Sequence, residues 1–143
     1  MSSHKETVQR HIQRINNRNL TAADCAAIFA PDYVETTTPP VSPGPEGQYA
    51  LYQATLAGFP DFRIVVDDLI EEDDRVVVRW TFTGTRQGEF NGIPATGKQA
   101  KLMGISIWHF DEQGRNVHEY ELLDGLGMLA QMGVLPAPEP AAA

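Results

Sequence analysis

Asp124 sits between Leu122-Leu123 and Gly125-Leu126-Gly127-Met128, and it is the one acid in the chain whose neighbours are almost all apolar. An apolar cavity raises a carboxyl from about 4 toward neutrality. There a single group can take a proton α to a carbonyl and protonate the developing alkoxide. Aspartate just before a helix is also a favoured N-cap worth about 1 kcal/mol, and by pattern alone the cap is the commoner role. His109 alternates with Met103, Ile105 and Ile107, so it shares their face, while Gly104, Ser106, Trp108 and Phe110 point the other way. If the first face lines a cavity, His109 can hydrogen-bond a substrate carbonyl or Asp124; the competing reading is a histidine at a fraying strand end near water. His118 has the parity of Tyr120, Leu122 and Asp124 and is a second candidate further from the junction. Tyr33, Phe59, Trp80, Met103, Trp108 and Tyr120 offer aromatic or soft surface to a substrate pocket, although each such residue is more often core than pocket wall. Tyr33 and Tyr120 also carry hydroxyls that need partners if buried.

Other motifs lead nowhere. Gly92-Ile93-Pro94-Ala95-Thr96-Gly97-Lys98 has the spacing of a phosphate loop, but Gln99 stands where Ser or Thr would ligate magnesium and a strand follows instead of a helix. Gly125-Leu126-Gly127-Met128-Leu129-Ala130 mimics a dinucleotide fingerprint, yet the sequence ends before a second strand, so its glycines read as close packing at a helix start. His4, His11, His109 and His118 share no close metal-ligand spacing, and the acids at Asp67-Asp68 and Glu71 to Asp74 read as solvated charge at a strand end and turn. No metal is expected. The single cysteine, Cys25, forms no internal disulfide and reads as buried and inert.

The elements that must position these residues follow from periodicity. Val8, Ile12 and Ile15 recur at helical spacing between Glu6 and Leu20; Thr21 with Asp24 is a capping box for a second helix through Ile28 and Phe29, stopped by Pro31. Thr36 to Gly47 reads as a loop, and a third helix starts at Pro45 and runs to Gly58. From Phe62 the period becomes two: strands over Phe62 to Asp67, Val76 to Thr83, Lys101 to Phe110 and Asn116 to Leu123, then a short helix to Met132 capped by Gly133. Helices followed by strands predict an α+β domain, a curved antiparallel sheet of four or more strands with helices on one face. One domain over residues 1–135 and a disordered Pro/Ala tail over 136–143 account for all 143 residues. A net charge of −8 argues against nucleic acid or an anionic membrane as partner, and with no signal-like apolar stretch the expected location is cytoplasmic.

Several stretches in succession resemble the SnoaL-like polyketide cyclases, or ester cyclases, of the nuclear-transport-factor-2-like superfamily. They are Ala30-Pro31-Asp32-Tyr33-Val34, Phe59-Pro60-Asp61, Asp74 to Arg79, Gly92 to Lys98, and Glu119 to Gly133. The resemblance implies a cone-shaped α+β barrel around an apolar cavity, commonly a homodimer or tetramer. It implies cofactor-free aldol-type ring closure of a hydrophobic, polyketide-like carbonyl compound, with Asp124 at the family's acid/base position and His109 at that of an assisting histidine. Tyr120 replaces a frequent tryptophan, and Thr36 stands where histidine is common. Hydroxylation, epoxide opening and double-bond migration in the same pocket are the enzymatic alternatives. A non-catalytic ligand-binding module, in which Asp124 only caps its helix, is the other.

Overall fold

Two capping boxes set the start of the helical layer in the computed structural model, which describes residues 3–89, 92 and 94–136. Ser3 and Glu6 cap helix α1 (His4–Asn16), and Thr21 and Asp24 cap α2 (Ala22–Ile28) as the sequence predicts, each pair satisfying two backbone donors that a helix start would otherwise orphan. Arg14 of α1 pairs with Asp24 of α2 and ties the two helices together. Helix α3 (Gly44–Gly58) opens with Pro45 in its first turn, where a missing N–H costs nothing.

Strands β2 (Arg63–Glu72), β3 (Arg75–Thr85), β4 (Gln99–Phe110) and β5 (Asn116–Leu123) form consecutive antiparallel neighbours, and helix α4 (Gly125–Gln131) follows β5 directly. Asp73 in the β2–β3 turn and Gly114 in the β4–β5 turn supply the positive φ that tight hairpins demand. Lys98 runs straight into β4, with no helix to seat a phosphate.

One strand was not foreseen. Phe29–Thr36, expected to be chain after a helix stop at Pro31, forms β1 and pairs parallel with β5. The sheet order is therefore β1-β5-β4-β3-β2, and the expectation of a wholly antiparallel sheet is corrected at this edge. Pro31 is tolerated because an edge strand leaves one side of its ladder unpaired. The sheet is curved and unclosed, with the helices completing the enclosure. Val8, Phe29, Phe59, Phe62, Val76 and Val78 are buried in the core between sheet and helices, and Cys25 is buried and free. Phe90 and the Pro/Ala stretch from residue 137 lie outside the described residues.

Candidate active site

The inner face of β4 carries Leu102, Gly104, Ser106 and Trp108, all buried; its outer face carries Met103, Ile105, Ile107 and His109. Register then fixes what stands beside them. Ser106 lies opposite Glu121 and Trp108 opposite Glu119 in β5, while the parallel pairing sets Glu35 of β1 against Glu119. Three acids thus share one end of a cavity of about 760 Å³ whose remaining wall is mainly aliphatic and aromatic. Oxygens from Glu35, Glu119 and Glu121 lie within 4.8 Å of one another, the described group of side chains able to share a cation.

A polar scaffold holds the acids in place. The Tyr33 hydroxyl lies 3.3 Å from Oε1 of Glu35 and 3.2 Å from Oε1 of Glu119; Gln48 Nε2 donates to the former at 3.3 Å and Asn116 Nδ2 to the latter at 3.2 Å. Trp80 Nε1 donates to Ser106 Oγ at 3.0 Å, and Ser106 donates to Oε2 of Glu121 at 3.0 Å. This chain depends on Gly104, because a Cβ there would fall 2.2 Å from the Trp80 ring. Each acid receives its nitrogen or hydroxyl donors at one oxygen only. Oε2 of Glu35 is buried without any.

Such crowding favours the protonated forms. Burial first, and then the charge of Glu35, pushes Glu121 up to about 7, against the hydrogen bond from Ser106. Glu119 stands well above the usual carboxylate range, through burial and then the charges of Glu35 and Glu121. Glu35 is raised by burial, and the Tyr33 phenol by burial and both adjacent glutamates. His11 of α1 also lines the cavity, edge-on to Phe29 and Trp108; burial, then Arg14, lowers it to about 4, so it is a neutral imidazole.

The residues singled out from sequence divide between the two faces. Phe59, Trp80 and Trp108 line the cavity, and Tyr33 sits behind it under the acids. Met103, His109, His118 and Tyr120 are on the outer face. There the His118 and Tyr120 rings stack at 4.3 Å, and His118 Nε2 meets Thr36 Oγ1 at 2.9 Å. The Met103-to-His109 face, read as lining the cavity if it faced inward, is therefore corrected to the outer surface: the inward face is the one with Ala100, Leu102, Trp108 and Phe110. Asp124 is exposed and caps α4, accepting from Gly127 N at 2.9 Å; a Cβ on Gly127 would fall 2.2 Å from its carboxylate. Its apolar neighbours do not bury it, since Leu122 is 81 % and Leu126 68 % exposed. Leu123, Gly125 and Leu126 nevertheless line the cavity, so Asp124 stands at its edge. Sequence reasoning missed Glu35, Glu119, Glu121, Ser106 and His11. The usable signal was the alternation of Glu119 and Glu121 with Tyr120 and Leu122, which reads as acids facing water until the helices cover that face.

An open, curved sheet closed by helices around an apolar cavity defines the nuclear-transport-factor-2-like class of α+β proteins. Within it, the chain belongs to the SnoaL-like polyketide cyclase family, whose profile matches residues 5–132. Among solved structures it is similar to TsrD from Streptomyces laurentii, at 26% identity over 94% of this chain and 99% of that one, with a TM-score of 0.82. It is similar also to AclR from Streptomyces galilaeus, proposed to be a hydroxylase, at 27% identity over 93% of this chain and 97% of that one, TM-score 0.79. IdmH from Streptomyces antibioticus, proposed to be a polyketide cyclase, shares 29% identity over 93% of this chain and 100% of that one, TM-score 0.77. No curated protein matches the sequence. The family's members are polyketide cyclases, which supports a cyclase-like enzyme acting on a small molecule. Among the described residues, no helix is long and apolar enough to cross a membrane.

Proposed function

We propose that this protein performs acid/base chemistry on a hydrophobic carbonyl compound, of the kind that closes a ring by intramolecular aldol reaction, with Glu121 as the proton-transferring group. The observation that carries this reading is the Glu121 carboxyl on the wall of an apolar cavity, raised to about 7 and oriented by Ser106. A group poised near neutrality abstracts and returns a proton with the best compromise between protonation state and driving force. In the proposed cycle Glu121, ionised, removes a proton α to the substrate carbonyl; the carbon nucleophile attacks a second carbonyl of the same molecule; and the proton returns to the new alkoxide. Glu119, pushed well above the usual carboxylate range by burial and the neighbouring acids, limits the negative charge at this end of the cavity.

Asp124 is the second candidate, favoured by its position at the cavity edge between lining residues. Turnover of a cyclisable poly-β-ketone ester separates the two. Glu121→Gln should abolish ring closure and Asp124→Asn should leave it within a few-fold; the reverse pattern transfers the role to Asp124. The likeness to AclR supports oxygenation as an alternative outcome, and mass analysis of the product distinguishes added oxygen from lost water.

We further infer a homodimer formed through the outer sheet face, where Ile105 and Leu122 are cross-strand partners, Met103 and Tyr120 lie alongside, and all four are exposed. A patch of this kind marks an association surface. Leu122→Asp should convert a dimer to a monomer in sedimentation velocity; an unchanged mass would rule out this face.

A further inference from the structure

Glu121 ends a hydrogen-bond chain that begins two strands away. Trp80 of β3 stands opposite Gly104 of β4 in the ladder, and Ser106 of β4 stands opposite Glu121 of β5. Gly104 leaves the space beside the indole open: a Cβ there would fall 2.2 Å from Cζ2 of Trp80. The ring therefore lies over that glycine and reaches Ser106, two residues further along β4, where Nε1 donates to Oγ at 3.0 Å. Ser106 Oγ in turn lies 3.0 Å from Oε2 of Glu121. Ser106 is only 3 % exposed, and β4 has β3 on one side and β5 on the other, so the backbone carbonyls around it are engaged in the ladders. Oε2 of Glu121 is the acceptor placed for the hydroxyl proton.

We propose that Trp80 is a positioning residue for the acid/base group: its indole N–H fixes Ser106 as a hydrogen-bond donor to Glu121. The chain has one possible direction at its start, because an indole nitrogen donates and never accepts. With that N–H on Oγ, the hydroxyl proton points on to the carboxyl, and an ionised Glu121, which only accepts, completes the chain. A protonated Glu121 competes with the hydroxyl for the same contact: if it donates to Oγ, the Ser106 proton loses its partner. The arrangement thus favours the carboxylate, against the burial and the Glu35 charge that raise the group. The titratable side chains that share the cavity wall with Glu121 are Glu35 from β1, Glu119 from its own strand, His11 from α1 and Tyr52 from α3, with Tyr33 behind the acids. Among the described residues, β2, β3, β4 and α4 bring none to that wall. Trp80 therefore tunes the site without adding charge to it. The functional meaning rests on Glu121 being the proton-transferring group, whereas the hydrogen-bond assignment does not.

Carbon NMR of the full chain labelled at its glutamate carboxyls tests this without turnover, the Glu121 signal being assigned by its loss in Glu121→Gln. Trp80→Phe, checked for fold by circular dichroism, keeps a ring over Gly104 and removes the N–H; it should raise the Glu121 midpoint by about half a pH unit. Ser106→Ala should raise it by about one pH unit or more. Adding Trp80→Phe to Ser106→Ala should then change nothing further, because Trp80 acts through the hydroxyl. In the unsubstituted chain the Trp80 indole N–H signal should move with pH at the Glu121 midpoint and stop doing so in Glu121→Gln, a measurement that needs no folded Trp80 variant. An unmoved midpoint in Trp80→Phe, an equal rise in the Ser106→Ala background, or an indole signal indifferent to pH would each overturn the proposal. The rising limb of ring closure against pH should move upward with the midpoint in Trp80→Phe, slowing turnover about threefold near pH 6. If the midpoint rises but the limb stays, the Trp80 assignment stands and the acid/base role of Glu121 falls. If Glu121→Gln abolishes ring closure while the Glu121 midpoint is unmoved in Trp80→Phe, the acid/base role stands and the Trp80 assignment falls.

Discussion

Replacing Glu121 with glutamine should make the protein more stable in mild alkali, the opposite of what losing a hydrogen-bonded core residue normally does. In the unfolded chain Glu121 titrates at the ordinary glutamate value of 4.5, and in the folded protein at about 7. Because the folded value is the higher one, the group's contribution to stability is complete below about pH 4.5 and is lost as pH rises through about 7. The rise from 4.5 to about 7, at about 1.4 kcal/mol for each tenfold change in proton affinity, puts about 3 to 4 kcal/mol of pH-dependent stability on this one carboxyl. Glutamine does not ionise and can still meet Ser106. The variant should therefore be within about 1 kcal/mol of the parent near pH 5 and about 2 kcal/mol more stable near pH 8.5. Urea unfolding at half-unit steps between these limits measures both proteins. The difference between them reports Glu121 together with the part of the Glu119 rise that the Glu121 charge supplies, while burial, the larger cause, raises Glu35 and Glu119 in both. A difference that stays constant within about 0.5 kcal/mol across the range would refute the reasoning, since it would mean that Glu121 is ionised and solvated throughout.

Tyr33→Phe keeps the ring against Phe29 but removes the hydroxyl shared by Glu35 and Glu119; it should cost about 1–2 kcal/mol and move ionisation of the cluster to higher pH, read by carbon NMR of the glutamate carboxyls. Gly104→Ala drives a Cβ to within 2.2 Å of the Trp80 ring, so it should displace the indole from Ser106, cost about 2 kcal/mol and alter tryptophan fluorescence. Asp124→Ala should cost about 1 kcal/mol in urea as a lost cap and Asp124→Asn only a few tenths; a loss above about 3 kcal/mol from Asn would show that the carboxylate does more than cap.

The sequence carried its own helix starts and its hairpins. The Thr21-Asp24 box, Pro45, the turns after Glu72 and at Gly114, and the end of β5 are local patterns, and local patterns need no tertiary context to act. Arg79 bonds its cross-strand partner Asp68 at 2.6 Å. The resemblance to the SnoaL-like family, carried by short motifs in order along the chain, agrees with the family match. The acid cluster was not legible. Its three glutamates come from strands that are 84 residues apart at the Glu35–Glu119 pair, joined by a parallel pairing whose edge strand contains a proline and shows no simple alternation.

Sequence alone therefore determined where the chain turns, which residues share a strand face, and to which family it belongs, because period and capping are properties of neighbours along the backbone. Which face looks inward was decided only by tertiary structure. Met103, Ile105 and Ile107 face out together with Gln99, Lys101 and His109, because the helices cover the other side, where Ser106 and Trp108 line the cavity. The same choice turned Glu119 and Glu121 from surface charges into a buried cluster and left Asp124 at the rim as a cap.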